Sequence, residues 1–505
     1  MDPLVAVEDL QVTYSLRRGS SVPVDGLSLT IDPGECLGLV GESGCGKTTT
    51  GMAIMGLLAS NGRISRGRVL FEGTDLASLP EEGMRHVRGN GIALIPQDPL
   101  TSLNPTTRIG KQIAEGYRIH RGVSDAEANR RVLEVLEMVE MPRPAERVRQ
   151  YPFELSGGLR QRVIIAMGLV CEPKLLIADE PTTALDVTIQ AQILDIFDHL
   201  RESLGMSILL ITHDMGVIAG RADRVVVMYA GRKAEEAPTT ELFGAMHHPY
   251  TQSLLASVPS LETTTKVTLR HIPGLPPDLS QELHGCRFAP RCRNATATCR
   301  TEEPEVTDDG KGHTYLCWHP VDGPSSLPPL DEQIEPRDLG TELLRGEGLV
   351  REFPIRKGLF RRKVGAIHAV SDVDLVIHEG ETLGLVGESG CGKTTIGRLL
   401  VGIEPPDAGQ VTFEGGVVTG LRGRAARRSR RDRQMMFQDP YSSLDPRMRV
   451  RELIREPLAI QGLGDRAAQH RRVDELLEAV GLDPQSADRH PHEFSGGQRQ
   501  RIGLA

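Results

Sequence analysis

The sequence predicts an α/β protein built from two tandem copies of one domain, with a small cysteine-containing segment after the first copy. Three observations predict it. The string Gly-Leu-Val-Gly-Glu-Ser-Gly-Cys-Gly-Lys-Thr-Thr stands at Gly38–Thr49 and again at Gly384–Thr395, and identity of that length marks a duplicated unit. Each copy opens on alternating apolar residues that read as strands, Val5, Val7 and Leu10 in the first, and then reaches an apolar strand running into the glycine-rich turn. Helical patterns follow, as over residues 130–139. Between the copies, four of the eight cysteines crowd into residues 286–317.

The bulk properties bound the answer. A chain of 505 residues exceeds one core, and at roughly 150 residues per domain it suggests about three units. Hydrophobic residues make up 39% and charged residues 25%, and no apolar run approaches the ~20 residues of a membrane helix. Residues 1–10 carry acidic side chains in a strand-like alternation, so no secretory leader is expected and the chain is placed in the cytoplasm. A net charge of -9 argues against general polyanion binding, and nucleic acid is not an expected partner.

The repeat continues in order. Pro96-Gln97-Asp98-Pro99 is echoed by Phe437-Gln438-Asp439-Pro440, and Leu155-Ser156-Gly157-Gly158 by Phe494-Ser495-Gly496-Gly497. The offsets of 346, 341 and 339 residues leave room for small insertions only. The expected division is a first domain over 1–260, a cysteine-containing accessory domain over 261–322, a Pro-rich linker over 323–342 and a second domain over 343–505.

Gly41–Thr48 has the spacing of a phosphate-binding loop, in which backbone N–H groups at a helix start surround phosphate oxygens. Side chains would keep the backbone from the anion, hence the glycines. Gly41, Glu42, Ser43, Gly44, Cys45, Gly46, Lys47, Thr48 and Thr49 are the candidates, Lys47 for the terminal phosphates and Thr48 for Mg²⁺. The second copy supplies Gly387, Glu388, Ser389, Gly390, Cys391, Gly392, Lys393, Thr394 and Thr395, with Thr394 toward Mg²⁺.

Leu175–Glu180 is an apolar strand ending in two carboxylates. That suits a metal ligand, Asp179, beside a water-orienting base, Glu180. Two acids at a strand end also occur in solvated turns, and it is their place after Ser156-Gly157-Gly158 that favours the catalytic reading.

With the phosphate loop, Gln97, Leu155–Gly158, Asp179-Glu180, Ala184-Leu185-Asp186 and His213 in this order, the chain resembles the ABC ATPases over nearly all of the first copy. The resemblance implies ATP and Mg²⁺ as cofactors and assigns Glu180 and His213 to catalysis. It implies that Tyr14 stacks on adenine, with Phe353 as a nucleotide-binding aromatic of the second copy. Gln97 and Gln438 are implied as Mg²⁺-sensing glutamines and Asp186 as a nucleotide-site residue. Singly, Tyr14 also reads as a core aromatic, Gln97 as a loop polar group and His213 as a surface histidine. In such ATPases two domains associate head to tail, so Gly41–Thr48 is expected to face Ser495, Gly496 and Gly497, and Gly387–Thr395 to face Ser156, Gly157 and Gly158.

The same offset puts a second acidic pair near position 518 and a second histidine near 552, past Ala505. Either the sequence is a piece of a longer chain or the second site binds nucleotide without efficient hydrolysis. A truncated piece is the favoured expectation.

Gln97–Pro105 and His248-Pro249-Tyr250-Thr251, followed by the cysteine segment, resemble the ATPases of oligopeptide, dipeptide and nickel importers. The resemblance implies a peripheral subunit on the cytoplasmic face of the membrane, serving two transmembrane permeases and an extracytoplasmic solute-binding protein. Peptide uptake is the expected function, with nickel or glycosides as other solutes. A tandem ATPase acting on ribosomes or DNA is the rival class, and a nucleotide- or redox-sensing protein a third. The arginine run 422–433 reads first as a solvated face and second as a lipid-headgroup contact.

Cys36 and Cys171 lie in apolar surroundings that suggest buried packing. Cys286, Cys292, Cys299 and Cys317 have five, six and seventeen residues between them. Disulfides are disfavoured in a reducing compartment, which leaves tetrathiolate Zn²⁺ or a four-cysteine iron–sulfur cluster. The spacings lack a Cys-x-x-Cys knuckle, so a [4Fe–4S] cluster is favoured over Zn²⁺, with four unligated cysteines as the remaining reading.

Overall fold

The computed structural model describes residues 2–16, 19–98, 102–183, 185–258, 272–324, 339–357, 362–437, 443–494 and 496–505. They form two units, Met1–Glu335 and Pro336–Ala505.

In the first unit β1 (Val5–Ser15), β2 (Ser20–Ile31), β4 (Gly62–Phe71) and β5 (Thr74–Asp75) make an antiparallel sheet in the order β2-β1-β4-β5. The apolar residues of β1 change phase between Val7 and Leu10, and a register shift there explains it. Asp9 is left-handed at φ 46°, and Gly67 faces the bulge at φ +88°, where a Cβ would come within 2.4 Å of the Asp9 carbonyl oxygen. The shift restores inward pointing, so Val5, Val7, Leu10 and Val12 are all buried.

The second sheet contains β3 (Cys36–Val40), β6 (Ile92–Ile95), β7 (Leu175–Asp179), β8 (Ser207–Thr212), β9 (Arg224–Tyr229), β10 (Arg232–Pro238), β11 (Thr307–Asp308) and β12 (Thr314–Tyr315). Its order is β11-β12-β10-β9-β3-β8-β7-β6. The run β9-β3-β8-β7-β6 is parallel. Every residue of β3, β7 and β8 is buried, as expected of parallel strands covered on both faces. One face packs on the helices Ile109–Arg121, Asp125–Met138, Gly157–Leu169 and Val187–Leu204, and the other on Lys47–Ile54 and the antiparallel sheet.

The cysteine segment belongs to this unit. Its β12 pairs antiparallel with β10, and His313 Nε2 sits 2.8 Å from the Glu235 carboxylate with neither side chain open to solvent. Cys36 and Cys171 are buried in the apolar core.

In the second unit β13 (Glu342–Lys357), β14 (Arg362–His378), β15 (Ala408–Phe413) and β16 (Gly416–Val417) repeat the antiparallel sheet in the order β14-β13-β15-β16. The apolar strand expected before the second glycine-rich turn does not form: residues 381–388 are irregular, and Leu383, Leu385 and Val386 are 46%, 50% and 90% exposed. In the first unit the identical residues are held between β8 and β9. Among the described residues of the second unit no strand pairs with 384–386 as β8 and β9 pair with β3, so their backbone donors and acceptors join no ladder there. The arginine run forms the helix Gly423–Arg431, which buries none of its residues.

Candidate nucleotide-binding site

The phosphate loop leaves the carboxyl end of β3 and runs into the helix Lys47–Ile54. Two of its glycines are sterically compulsory. At Gly41 (φ +151°) a Cβ would lie 2.2 Å from the Met228 carbonyl oxygen, and at Gly46 (φ +105°) 2.2 Å from that of Pro23. Lys47 is buried and its Nζ donates to the Gly41 and Glu42 carbonyls at 2.7 and 3.0 Å. These are bonds that a terminal phosphate can replace, because both acceptors belong to the loop that would surround it.

Thr48 Oγ1 donates to Asp179 Oδ1 at 3.1 Å. A hydroxyl and a carboxylate at that separation are the hard oxygen donors that Mg²⁺ takes beside substrate phosphates. Burial pushes the Asp179 carboxyl up to about 6, against the Thr48 hydrogen bond and with the charge of Glu180 adding to the rise.

Glu180 follows at the strand end, in the left-handed region at φ 47°, with its N–H bonded to the Ile211 carbonyl at 2.8 Å. Its carboxylate accepts from Gln97 Nε2 at 2.7 Å and Thr183 Oγ1 at 3.0 Å, and His213 Nδ1 lies 2.9 Å away. Burial opposes its charge, but the hydrogen bond and charge of His213 outweigh it and hold Glu180 below the usual carboxylate range. The same hydrogen bond raises His213. Residues from β7, the segment after β6 and the segment after β8 thus converge on one carboxylate.

Ser156 caps the helix Gly157–Leu169, its hydroxyl accepting from Leu159 N at 3.4 Å. Asp186 likewise caps Val187–Leu204 through Ile189 N at 3.0 Å. A Cβ on Gly158 would come within 2.7 Å of Ile189, so the two helix starts pack closely. Tyr14 is half-buried on β1 with its ring over Gly62, where a Cβ would meet it at 2.5 Å.

In the second unit the glycine-rich turn keeps its shape. Gly387 and Gly392 have φ of +153° and +102°, and Lys393 Nζ donates to the Gly387 and Glu388 carbonyls, each at 2.6 Å. Glu388, Ser389, Gly390, Cys391 and Thr394 are exposed, whereas Lys47 is enclosed by sheet on the first unit. Phe353 lies beneath the Arg351 guanidinium, 5.0 Å from its ring centre. Gly496 and Gly497 open the helix Gly496–Leu504. Gln438 and Ser495, and Ala184 of the first copy, lie outside the described residues.

Cys286, Cys292, Cys299 and Cys317 line one small cavity, with Trp318 and His319 on its wall. None is in a disulfide. Burial pushes the thiols of Cys286 and Cys292 up and that of Cys317 to about 12. The His319 N–H points at Cys317 Sγ at 3.4 Å, the kind of amide–sulfur contact that stabilises a thiolate in a cluster site. The donors are the soft sulfurs that Zn²⁺ and iron–sulfur clusters take, but among the described residues no three of these sulfur atoms lie within 4.8 Å of one another.

Sequence reasoning missed two things here. His247, Asp309 and His313 bring ligand atoms within 4.8 Å of one another, and Arg291 reaches the phosphate loop at Glu42. Their long sequence separations leave no local signal.

The model of the ABC transporter family matches residues 24–183 and 370–505. The model described as "Oligopeptide/dipeptide transporter, C-terminal region" matches 234–299. An oligopeptide transport ATP-binding protein of Mycobacterium tuberculosis (strain ATCC 25618 / H37Rv) is 44% identical over 514 residues, spanning 100% of this chain and 84% of its own length. A glutathione import ATP-binding protein of Pectobacterium atrosepticum is 41% identical over 508 residues, spanning 99% of this chain and 74% of its own. Among solved structures, a dimeric ATP-binding cassette in a post-hydrolysis state with ADP and phosphate aligns with a TM-score of 0.43 at 26% identity, over 46% of this chain and 98% of its own.

Proposed function

Since the chain belongs to the ABC transporter ATPase family, we propose that its hydrolysis of ATP drives uptake of short peptides through partner permeases. The observation that carries the hydrolytic part is the convergence on Glu180, beside the Lys47–Thr48–Asp179 group. ATP enters with its phosphates on the loop amides, and Lys47 exchanges its carbonyl partners for phosphate oxygens. Thr48 and Asp179 would hold Mg²⁺, and Gln97, whose amide nitrogen bonds Glu180, is proposed to sense it. Glu180 accepts a hydrogen bond from the attacking water, whose oxygen bonds to the γ-phosphorus as the bond to the β-phosphate oxygen breaks. The products are ADP and phosphate. His213, tied to Glu180, orients that carboxylate and contacts the γ-phosphate side.

Peptide as the solute rests on the names of the relatives, one an oligopeptide and one a glutathione importer, and on the match of residues 234–299 to the peptide-transporter region. Among the described residues no helix is long and apolar enough to cross a membrane. The transport path therefore needs partners, and the chain is proposed to sit peripherally on the cytoplasmic face against two permeases supplied by a solute-binding protein. The four cysteines are proposed to hold a [4Fe–4S] cluster, with Zn²⁺ as the alternative. When bound, either group would crosslink the segment, and the iron–sulfur cluster, unlike Zn²⁺, would also supply a redox centre.

Purification of a tagged chain from native membranes, with mass spectrometry of what stays bound, tests the transport reading. Recovery of two multi-span permeases is the expected result. Recovery of ribosomal proteins in their place would establish the rival class.

A further inference from the structure

Glu42 sets a problem that the nucleotide chemistry does not solve. It places a carboxylate inside a loop built to receive a polyphosphate, and like charges close together in a partly desolvated site repel strongly.

The cysteine segment answers it. Arg291, in the single turn Ala289–Arg291 between Cys286 and Cys292, sends Nη1 to Glu42 Oε2 at 2.5 Å and Nη2 to Oε1 at 2.9 Å. The guanidinium is itself fixed, with Nε donating to the Pro273 carbonyl at 2.8 Å and Nη1 to the Tyr229 hydroxyl at 3.2 Å. Its side chain is 5% exposed. The fully buried Tyr250 takes the other end of the same residue, its hydroxyl accepting the Glu42 N–H at 2.8 Å. Glu42 is therefore held at backbone and side chain by residues 208 and 249 positions away, while its carbonyl accepts from Lys47.

We propose that Arg291 and Tyr250 are positioning residues for ATP: Arg291 cancels the charge of Glu42 and, with Tyr250, braces the phosphate loop against the cysteine segment. A planar, two-pronged pair fixes direction as well as charge, so the loop amides keep their aim when phosphates are absent. Removing the buried Arg291 leaves the partly exposed Glu42 charge uncompensated, here at the phosphate site itself. The inference deepens the ATPase reading and rests on it.

The test is equilibrium titration of the full chain with ATP and with ADP, on wild type, R291M, R291K and the double variant E42Q/R291M. R291M is expected to weaken ATP about tenfold, the equivalent of ~1.4 kcal/mol, and ADP by less, because repulsion grows with phosphate charge. E42Q/R291M should recover most of the loss, since neither charge remains. R291K, which keeps the charge but not the fork, should fall between wild type and R291M. Mere structural damage would weaken both nucleotides alike and would not be rescued by a second substitution. Unchanged ATP affinity in R291M, or a double variant no better than R291M, overturns the proposal. If R291M does not fold, wild-type affinity in R291K overturns it instead. Failure of wild type to bind ATP sinks the ATPase reading, a result distinct from either.

Discussion

Glu180 is the most constrained side chain of the site. Its left-handed backbone turns the carboxylate off the end of β7, and Gln97, Thr183 and His213 then hold it. Glu180→Gln keeps the volume and the phosphate loop but removes the acceptor that orients water. Steady-state hydrolysis should fall by about a hundredfold or more while ATP binding persists, measured as phosphate release against nucleotide titration. Near-normal turnover in that variant would remove Glu180 from the mechanism. Asp179 adds a pH dependence. Its carboxyl, raised to about 6 by burial, must be ionised to take Mg²⁺, so protons compete with the metal below that value. The Mg²⁺ concentration for half-maximal hydrolysis should be flat above pH 7 and rise as pH falls through 6. A flat profile down to pH 5 would contradict a direct role for Asp179. The residue types and their order were legible in the sequence; the Ile211 carbonyl that fixes the Glu180 backbone was not, because only the pairing of β7 with β8 brings it there, whereas Thr183 reaches the carboxylate from three residues on in the same turn.

At the level of elements, local chemistry and tertiary context divide the work. The glycine-rich turn recurs with the same positive φ values in both copies, since contacts within its own few residues and one neighbouring carbonyl dictate it. The alternation of β1 could be seen in the sequence but not its bulge, which depends on Gly67 in a strand more than fifty residues on. For the cysteine segment the sequence offered donors at wide spacings; the Cys286 N–H bonds the Cys299 carbonyl and the pairing of β12 with β10 sets the strand just before Cys317, contacts that bring them around one cavity. Burial holds three of these thiols in the protonated form, so loading a metal group must release protons. Chain purified without oxygen should be brown, with near-stoichiometric iron and sulfide. Single Cys→Ser changes at 286, 292, 299 or 317 should bleach it, and a chelator competition should show tighter retention at pH 8 than at pH 6. Zinc without iron in the anaerobic protein would move the assignment to the tetrathiolate alternative.

Across the whole molecule the repeat was the feature most visible in the sequence, and it also marks where sequence identity stops fixing structure. Twelve identical residues end a fully buried strand in the first unit and an irregular, solvent-exposed segment in the second. A β-strand is made by its neighbours: β3 is inserted between β8 and β9, and residues 384–386 have no such neighbours among the described residues of the second unit. The apolar side chains that β3 hides are therefore displayed at Leu383, Leu385 and Val386, and Met436, the counterpart of Ile95 at the end of β6, is exposed with Phe437 beside it. Backbone without ladder hydrogen bonds opens at little cost in free energy. A protease that cuts after large apolar residues should therefore cleave the 505-residue chain at 383–386 and 436–437 well before it touches β3, β7 or β8. ATP should slow later cleavage of the first unit without protecting these early sites, and the surviving first-unit fragment should still bind nucleotide. Early cuts within 36–40 would mean that β3 is not held by its ladder, and ATP protection at 383–386 would mean that the second segment is organised by contacts beyond its own unit.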